Sequence, residues 1–267
     1  MACGSTYYIK FGLNYKMITW GISANSHDAA LAVFSDDGIE FASHSERFSR
    51  IKNDPDLDKT MVRYCLHKYG VPDEIVWYER PLVKTLRQIR AGQGFRFRKN
   101  NIRNYLAHYG LTAPVRYIDH HLSHAAAGYY TSTFGEAVVV CIDSIGEFDT
   151  LTVWHATETQ GLKKIYFQRY PHSVGLWYSA MTQRMGLKPQ EDEYILMGAA
   201  AYGDPDRLYH DIKGDFVKLQ DRGTLVKFKH NLHRGCSWWR PDLTSEQTCL
   251  TLLLLHKQCM KTYFVGC

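Results

Sequence analysis

The residues of this chain whose types and spacing most directly suggest chemistry are two histidines, His120 and His124. Residues at this spacing lie on one face of a helix, so both imidazoles can reach the same metal ion. Asp143, which follows the apolar run 137–142, can supply a carboxylate oxygen as a third ligand. Two imidazoles and a carboxylate, without a thiolate, suit iron, manganese or zinc. The spacing therefore predicts a metal site; the alternative is a structural role for these histidines.

A second candidate is His27, in the polar loop after a buried strand that begins at Met17. A histidine can take a proton from an attacking hydroxyl at neutral pH, and the adjacent loop can offer backbone amides to an oxyanion or phosphate. The dipeptide of His27 and Asp28 is weak support by itself, because such pairs are common without a catalytic role.

Basic side chains after the third predicted strand form a third candidate. Arg47 could clamp a carboxylate or phosphate, and Arg50 and Lys52 could neutralise phosphate oxygens. A surface salt-bridge cluster is an equally good interpretation. The longer basic stretch 86–106 is interpreted as a solvated surface, since the net charge of the chain is only +5.

These residues need elements that position them. Strand 115–118 runs into the helix of His120, the apolar strand 137–142 runs into a loop at 143–147, and another strand covers 150–156. A further helix is predicted over 59–69, where Val62, Cys65 and Leu66 share one face and Gly70 ends it. Strands that feed helices, with polar loops at strand ends, predict an α/β protein with a buried mixed sheet.

The amino-acid composition narrows the kinds of protein that this chain can be. The chain has 267 residues, of which 45% are hydrophobic, enough for a substantial core. Its 7 cysteines are scattered and form no CxxC pair, which favours a reducing compartment over a disulfide framework. The apolar run 250–255 is too short to cross a bilayer, and no secretory segment opens the chain. We therefore expect a cytoplasmic protein.

Five segments in order, 21–30, 46–50, 119–126, 143–147 and 197–203, resemble the O-carbamoyltransferases of the nodulation and antibiotic-tailoring type. The resemblance implies a transfer domain similar to the universal tRNA threonylcarbamoyl-transferase. It implies an actin/Hsp70/hexokinase-like (ribonuclease H-like) mixed sheet with flanking helices. In that family a YrdC-like domain makes carbamoyl adenylate from carbamoyl phosphate and ATP, and the transfer domain passes the carbamoyl group to a hydroxyl of a small-molecule acceptor.

The same resemblance assigns roles to residues. His27 matches the base that activates the acceptor hydroxyl, and His120, His124 and Asp143 match metal ligands, with iron(II) as the expected ion. Contacts to the nucleotide or phosphate are assigned to Arg47, Arg50, Lys52, Gly146 and Gly198. The alternative enzyme is a tRNA threonylcarbamoyl-transferase. It is disfavoured because the segments 46–50 and 197–203 resemble the O-carbamoyltransferases.

The chain departs from the family pattern at two positions and in its length. Ser144 replaces a glycine after the metal aspartate, and Ile195 replaces a lysine that contacts nucleotide in the family. Family members are much longer, so we expect residues 17–248 to be a truncated transfer domain that lacks its last carboxylate ligand and the YrdC-like domain. Residues 1–16 are interpreted as an extension or a mis-called start, and 249–267 as an aberrant tail after a frameshift.

Two functional interpretations remain. The chain is either a partial O-carbamoyltransferase module, inactive without its other half, or a remnant that binds metal or nucleotide without catalysis.

Overall fold

The computed structural model describes residues 16–94, 99–199, 208–218 and 226–242. The chain divides into two compact units, one ending at Ile118 and the other beginning at Asp119. Residues 1–15 of the predicted extension and the whole of the predicted tail 249–267 lie outside the described residues, as does the segment 200–203 of the last motif.

The first unit is built on a five-stranded mixed sheet with the order β3-β2-β1-β4-β5. The central strand β1 pairs antiparallel with β2 and parallel with β4, and β4 continues parallel to β5. This sheet brings the carboxyl ends of three parallel strands to one edge. The strands are β1 Thr19–Ser23, β2 Ala30–Ser35, β3 Gly38–His44, β4 Glu74–Trp77 and β5 Val115–Tyr117.

Helices α1 Glu46–Ser49, α2 Lys59–Tyr69, α3 Pro81–Arg90 and α4 Ile102–Ala107 complete the first unit. The predicted helix 59–69 is confirmed. Asp58 caps it by accepting hydrogen bonds from the backbone of Thr60 and Met61, and Gly70 ends it with a φ of 87°. Its buried face joins a core in which Trp20 and Trp77 are fully buried.

The second unit contains a three-stranded antiparallel sheet, β6-β7-β8, and helix α5 packs on one face of it. A second core forms around Trp177, Met181 and Phe216. Its elements are α5 His120–Tyr130, β6 Glu136–Gly146, β7 Asp149–Thr157, β8 Gly161–Arg169, α6 Val174–Arg184, α7 Glu193–Ala199, α8 Tyr209–Phe216, β9 Val217–Lys218, β10 Lys227–Phe228 and a 3-10 turn at Leu232–Arg234.

The predicted fold class needs correction. One actin/Hsp70/hexokinase-like mixed sheet with flanking helices was expected, but the described residues form two units with separate sheets. The three-stranded sheet of the second unit is wholly antiparallel, because the short turns after β6 and β7 cannot make the long crossover that parallel strands need. The α/β character and a mixed sheet are found in the first unit.

One further expectation concerned membranes. Within the described part of the chain, no helix has both the length and the apolar character needed to cross a bilayer.

Candidate metal centre

The predicted histidine helix is found as α5, which contains both His120 and His124. Asp119 is its N-cap, with a side-chain oxygen that accepts a hydrogen bond from the backbone of Leu122 at 3.2 Å. The small residues Ala125, Ala126 and Ala127 favour the helix, and Ala125 is fully buried against the sheet. His120 therefore sits in the first turn and His124 one turn later, on the same face.

Three ligand atoms converge there. The Nε2 atoms of His120 and His124 are 3.0 Å apart, and Nε2 of His120 is 3.1 Å from an Asp143 carboxylate oxygen. All three ligand atoms lie within 4.8 Å of one another. Donors that bind one ion at about 2.1 Å stand roughly 3.0–3.4 Å apart, as the two pairs that include His120 do, so these residues could hold a metal ion once the wider third pair closes. The structure thus brings together the three predicted ligands.

Asp143 is prepared to act as an anionic ligand. Burial raises its pKa, but the hydrogen bond and charge of His120, with a backbone hydrogen bond from Ser144 at 2.6 Å, outweigh burial and lower the pKa to about 2. The predicted loop at 143–147 is wrong in one respect. Strand β6 continues to Gly146, with an irregular register after Ile142, and this irregularity turns Asp143 toward α5.

Gly146 lies directly against the histidines. A Cβ atom at this position would come within 2.5 Å of Cδ2 in both His120 and His121, and within 2.8 Å of Nε2 in His121. Two imidazole rings therefore occupy the space that any other side chain would need. Gly146 was assigned to nucleotide contact, which stays a prediction; what the structure gives is its contact with the histidine rings.

His121 supports the centre from inside the unit. It is fully buried, and its Nδ1 is 2.9 Å from the hydroxyl of Thr152, which also accepts a hydrogen bond from Trp154 at 2.8 Å. Burial lowers the pKa of His121, so the ring stays neutral. This hydrogen bond fixes the orientation of the His121 ring, which lies beside the ring of His120 against Gly146.

A charged network holds the start of α5. Lys164 on β8 contacts Asp149 at 2.8 Å and the N-cap Asp119 at 3.3 Å, and its ammonium lies 4.9 Å from the centre of the Trp154 ring. Arg169 binds the other oxygen of Asp149 at 3.2 Å. The sheet is thereby tied to the residue that precedes His120.

Ser144, which stands where the family has a glycine, lies under the start of α6. The N-cap Ser173 donates its hydroxyl to the Ser144 carbonyl at 2.7 Å, and a Cβ at Gly175 would come within 2.7 Å of the Ser144 backbone. The backbone after Asp143 is thus fixed by close helix packing.

His27 belongs to the first unit, in the loop after β1. Its side chain is 72% exposed, and its Nδ1 is 2.9 Å from a carboxylate oxygen of Asp28. Backbone hydrogen bonds of 2.7 Å join Asn25 to Pro55 and Ala29 to Asp54, so both ends of the loop are anchored. His27 is thus held at an accessible tip of this loop.

The predicted phosphate contacts Arg47, Arg50 and Lys52 are exposed on the first unit, in and after α1. Arg47 is 3.6 Å from the carboxylate of Glu46, and Arg50 caps α1 in a left-handed conformation with a φ of 60°. Their exposure is compatible with an anion surface and equally with a salt-bridge cluster.

Gly198 lies near the end of α7, exposed, and a Cβ there would meet nothing within 4 Å. Ile195 is exposed on the same helix, and Glu193 accepts a hydrogen bond from Ser179 at 2.8 Å. The contact assigned to Gly198 stays a prediction, since part of its motif falls outside the described residues.

Sequence reasoning missed the residues that support the ligands: His121, Thr152, Trp154 and Lys164. His121 adjoins a predicted ligand, which was a usable signal. Thr152 and Trp154 are two positions apart and so share one face of β7. Only the pairing of β7 with its neighbours shows that this face meets α5.

Comparison with known proteins identifies the family of this chain. Residues 94–235, more than half of the chain, match the family model described as carbamoyltransferase N-terminus. An uncharacterised Synechocystis protein, sll1178, is 36% identical over 234 residues, covering 77% of this chain and 38% of that protein. The nodulation protein NolNO of Sinorhizobium fredii is 30% identical over 215 residues, covering 74% of this chain and 31% of that protein. The chain thus spans well under half the length of these curated relatives.

Solved structures give a weaker likeness. The PPX-GPPA enzyme of Aquifex aeolicus matches with a TM-score of 0.39 and 13% identity, over 94% of each chain. The type II variant of the Aquifex aeolicus Ppx/GppA phosphatase matches with a TM-score of 0.32 and 14% identity, over 71% of this chain and 65% of that chain. Scores this low assign neither fold nor function.

Proposed function

The chain belongs to the carbamoyltransferase family, and from this premise we propose that it supplies the transfer part of an O-carbamoyltransferase. The donor would be carbamoyl adenylate, made from carbamoyl phosphate and ATP by a separate YrdC-like domain. The acceptor would be a hydroxyl of a small molecule. The observation that carries the proposal is the convergence of His120, His124 and Asp143 within the matched region.

The ligand set defines what the second unit would contribute. The two imidazoles of His120 and His124 and the carboxylate of Asp143 would hold a divalent ion, for which we propose iron(II). The ion would supply Lewis acidity that polarises the carbamoyl or phosphoryl oxygen. Because the pKa of Asp143 is about 2, this ligand is already ionised at neutral pH.

The first unit would contribute the base. His27 would take the proton of the acceptor hydroxyl on Nε2, while Asp28 holds the proton on Nδ1 and stabilises the imidazolium that forms. The hydroxyl oxygen then bonds to the carbamoyl carbon, the bond from that carbon to the phosphate oxygen breaks, and AMP leaves. The exposed Arg47, Arg50 and Lys52 would receive the anionic part of the donor.

A chimera tests this proposal. Residues 17–242 of this chain replace the corresponding part of the Synechocystis relative, and labelled carbamoyl transfer to a panel of sugar alcohols is measured with carbamoyl phosphate and ATP. We expect transfer with AMP release. Replacement of His27 by asparagine should slow transfer about 100-fold or more and leave pyrophosphate release intact. Equal transfer rates with and without His27 would contradict its role.

A control histidine makes the comparison specific. His67 lies exposed on α2 of the same unit, and the His67→Asn chimera should transfer at the rate of the unchanged chimera. A chimera that releases pyrophosphate, binds metal and carbamoylates none of the offered hydroxyls would contradict the proposed reaction class.

A further inference from the structure

The loop that carries His27 has an uncommon backbone conformation. Asn25 and Asp28, on either side of its tip, have positive φ angles of 64° and 50°. Residues other than glycine rarely adopt this left-handed region, although asparagine and aspartate do so more readily than most. Such conformations persist where surrounding contacts hold them, and they are concentrated at functional sites. The tip formed by Ser26 and His27 therefore depends on neighbours that hold its two flanking residues.

The side chain of Asn25 supplies a contact of this kind. It is 8% exposed, and its Nδ2 donates a hydrogen bond to the Lys99 carbonyl at 2.6 Å. The two backbone bonds of the loop both go to one segment, at Asp54 and Pro55. Lys99 belongs to a different segment, between α3 and α4. The amide of Asn25 thus restricts movements of the loop that the two backbone bonds alone permit.

The carbonyl that receives this bond is itself fixed by a buried network. The next residue, Asn100, is 7% exposed and donates to the Thr85 hydroxyl at 2.7 Å and to the Gln88 side-chain oxygen at 2.9 Å. Thr85 in turn donates to the Pro81 carbonyl at 2.8 Å. Buried hydrogen bonds that satisfy one another hold side chains in one arrangement. A continuous set of contacts therefore joins the loop of His27 to the buried face of α3.

We infer that Asn25 is a positioning residue for carbamoyl transfer, because its amide bond to the Lys99 carbonyl fixes the loop that carries His27. The inference rests on the proposed function for the role of His27 as the base. A general base acts only within hydrogen-bond reach of the proton that it removes. A misplacement of about 1 Å can cost about 100-fold in rate.

Two substitutions of Asn25 test the inference in the full chain of 267 residues. Asn25→Gly keeps the left-handed backbone and removes the amide, and Asn25→Asp keeps the size of the side chain and removes its donor. By hydrogen–deuterium exchange, the Ala29 amide, which bonds to Asp54, should exchange at least about 10-fold faster in both variants. Amides of β1 should stay protected, which shows that the unit remains folded.

Asn53→Gly is the matched control. Asn53 also has a left-handed φ, 56°, and lies in the loop next to Asp54. The new glycine adds the same backbone freedom as in Asn25→Gly, but it leaves the bond to Lys99 in place. Exchange of the Ala29 amide should therefore stay at the rate of the unchanged chain.

Kinetics of the chimera described above separate positioning from a merely structural role. Both Asn25 variants should lower kcat for transfer about 10-fold or more, with KM for carbamoyl phosphate and the rate of pyrophosphate release unchanged. Asn25→Gly combined with His27→Asn should be no slower than His27→Asn alone, since Asn25 acts through His27. A general loss of stability would instead lower both steps together.

Each result decides the inference. Unchanged exchange of the Ala29 amide in both variants would mean that Asn25 does not hold the loop. Faster exchange with unchanged kcat would mean that His27 needs no fixed loop, and this would also overturn the inference. If the unsubstituted chimera transfers nothing, the proposed function fails, whereas faster exchange in the variants would still show that Asn25 fixes the loop of His27.

Discussion

At the scale of single residues, the metal centre depends on how the imidazole rings are packed as much as on where the histidines stand in the sequence. The spacing of His120 and His124 was enough to predict that they share a helix face, because the helical repeat is fixed. Asp143 was predicted as a ligand from its place at a strand end. The contact of Gly146 with two imidazoles could not be predicted, since it depends on how β6 bends after Ile142.

The first residue-scale prediction concerns His124. His124→Ala removes one of two imidazole ligands and should weaken Mn(II) binding by more than about 100-fold, measured by calorimetric titration of the metal-free chain. His210, which is exposed on α8, provides the control, and His210→Ala should bind Mn(II) like the unchanged chain. Similar affinities for the His124 and His210 variants would exclude His124 as a ligand.

Gly146→Ala should move the His120 ring, because the new methyl group would stand 2.5 Å from Cδ2 of that ring. We expect a loss of about 1–3 kcal/mol in unfolding free energy from overpacking, together with weaker metal binding. Chemical denaturation and metal titration measure the two effects. Gly214→Ala, at a helical glycine with nothing within 4 Å, should be neutral or slightly stabilising. Unchanged metal affinity in Gly146→Ala would show that the glycine does not position His120.

At the scale of elements, the position of α5 is set by the sheet below it. Lys164→Met keeps the aliphatic stem and removes the ammonium that joins Asp119 to Asp149. We expect a loss of about 1 kcal/mol in unfolding free energy, because the pair is only partly buried and Arg169 still contacts Asp149.

Lys163→Met is the matched control for this change, since Lys163 neighbours Lys164 on the same strand and its side chain is exposed. It should leave both the unfolding free energy and the metal affinity unchanged. Equal destabilisation by the two substitutions would show that the ion pairs of Lys164 do not support α5.

Elements with a complete local pattern were predictable. Helix α2 has a cap at Asp58, an apolar face and a terminating Gly70, and its predicted bounds are those observed. The segment 143–147 was predicted as a loop because it is polar and contains Gly146. Residues 143–146 are strand instead, since the pairing of β6 with β7 resumes between Gly146 and Asp149 after an irregular register. Such long-range pairing leaves little trace in local sequence.

At the scale of the whole molecule, the sequence predicted an α/β protein, and the division into two units with separate sheets was missed. Strand hydrophobicity shows that β6 is suited to burial, but it does not show which strands become its neighbours. That choice depends on connections between elements far apart in the chain.

Buried thiols in both units lead to a prediction for alkaline solution. Burial raises the pKa of Cys65 and of Cys236 to about 11, above the ordinary thiol value of 9.0. Above pH 9 the unfolded chain loses these protons first, so unfolding free energy should fall between pH 9 and pH 11, by at most about 3 kcal/mol per thiol. Denaturation at several pH values measures it. Cys65→Ala and Cys236→Ala should each flatten this fall, and an unchanged slope would contradict thiol burial as its cause.

The central claim is that this chain brings His120, His124 and Asp143 to one metal ion. Anomalous diffraction from crystals soaked in Mn(II) tests it most directly. The account requires a manganese peak about 2.0–2.2 Å from Nε2 of both histidines and from a carboxylate oxygen of Asp143. A peak bound by other residues, or no peak at these three atoms at millimolar Mn(II), would contradict the account.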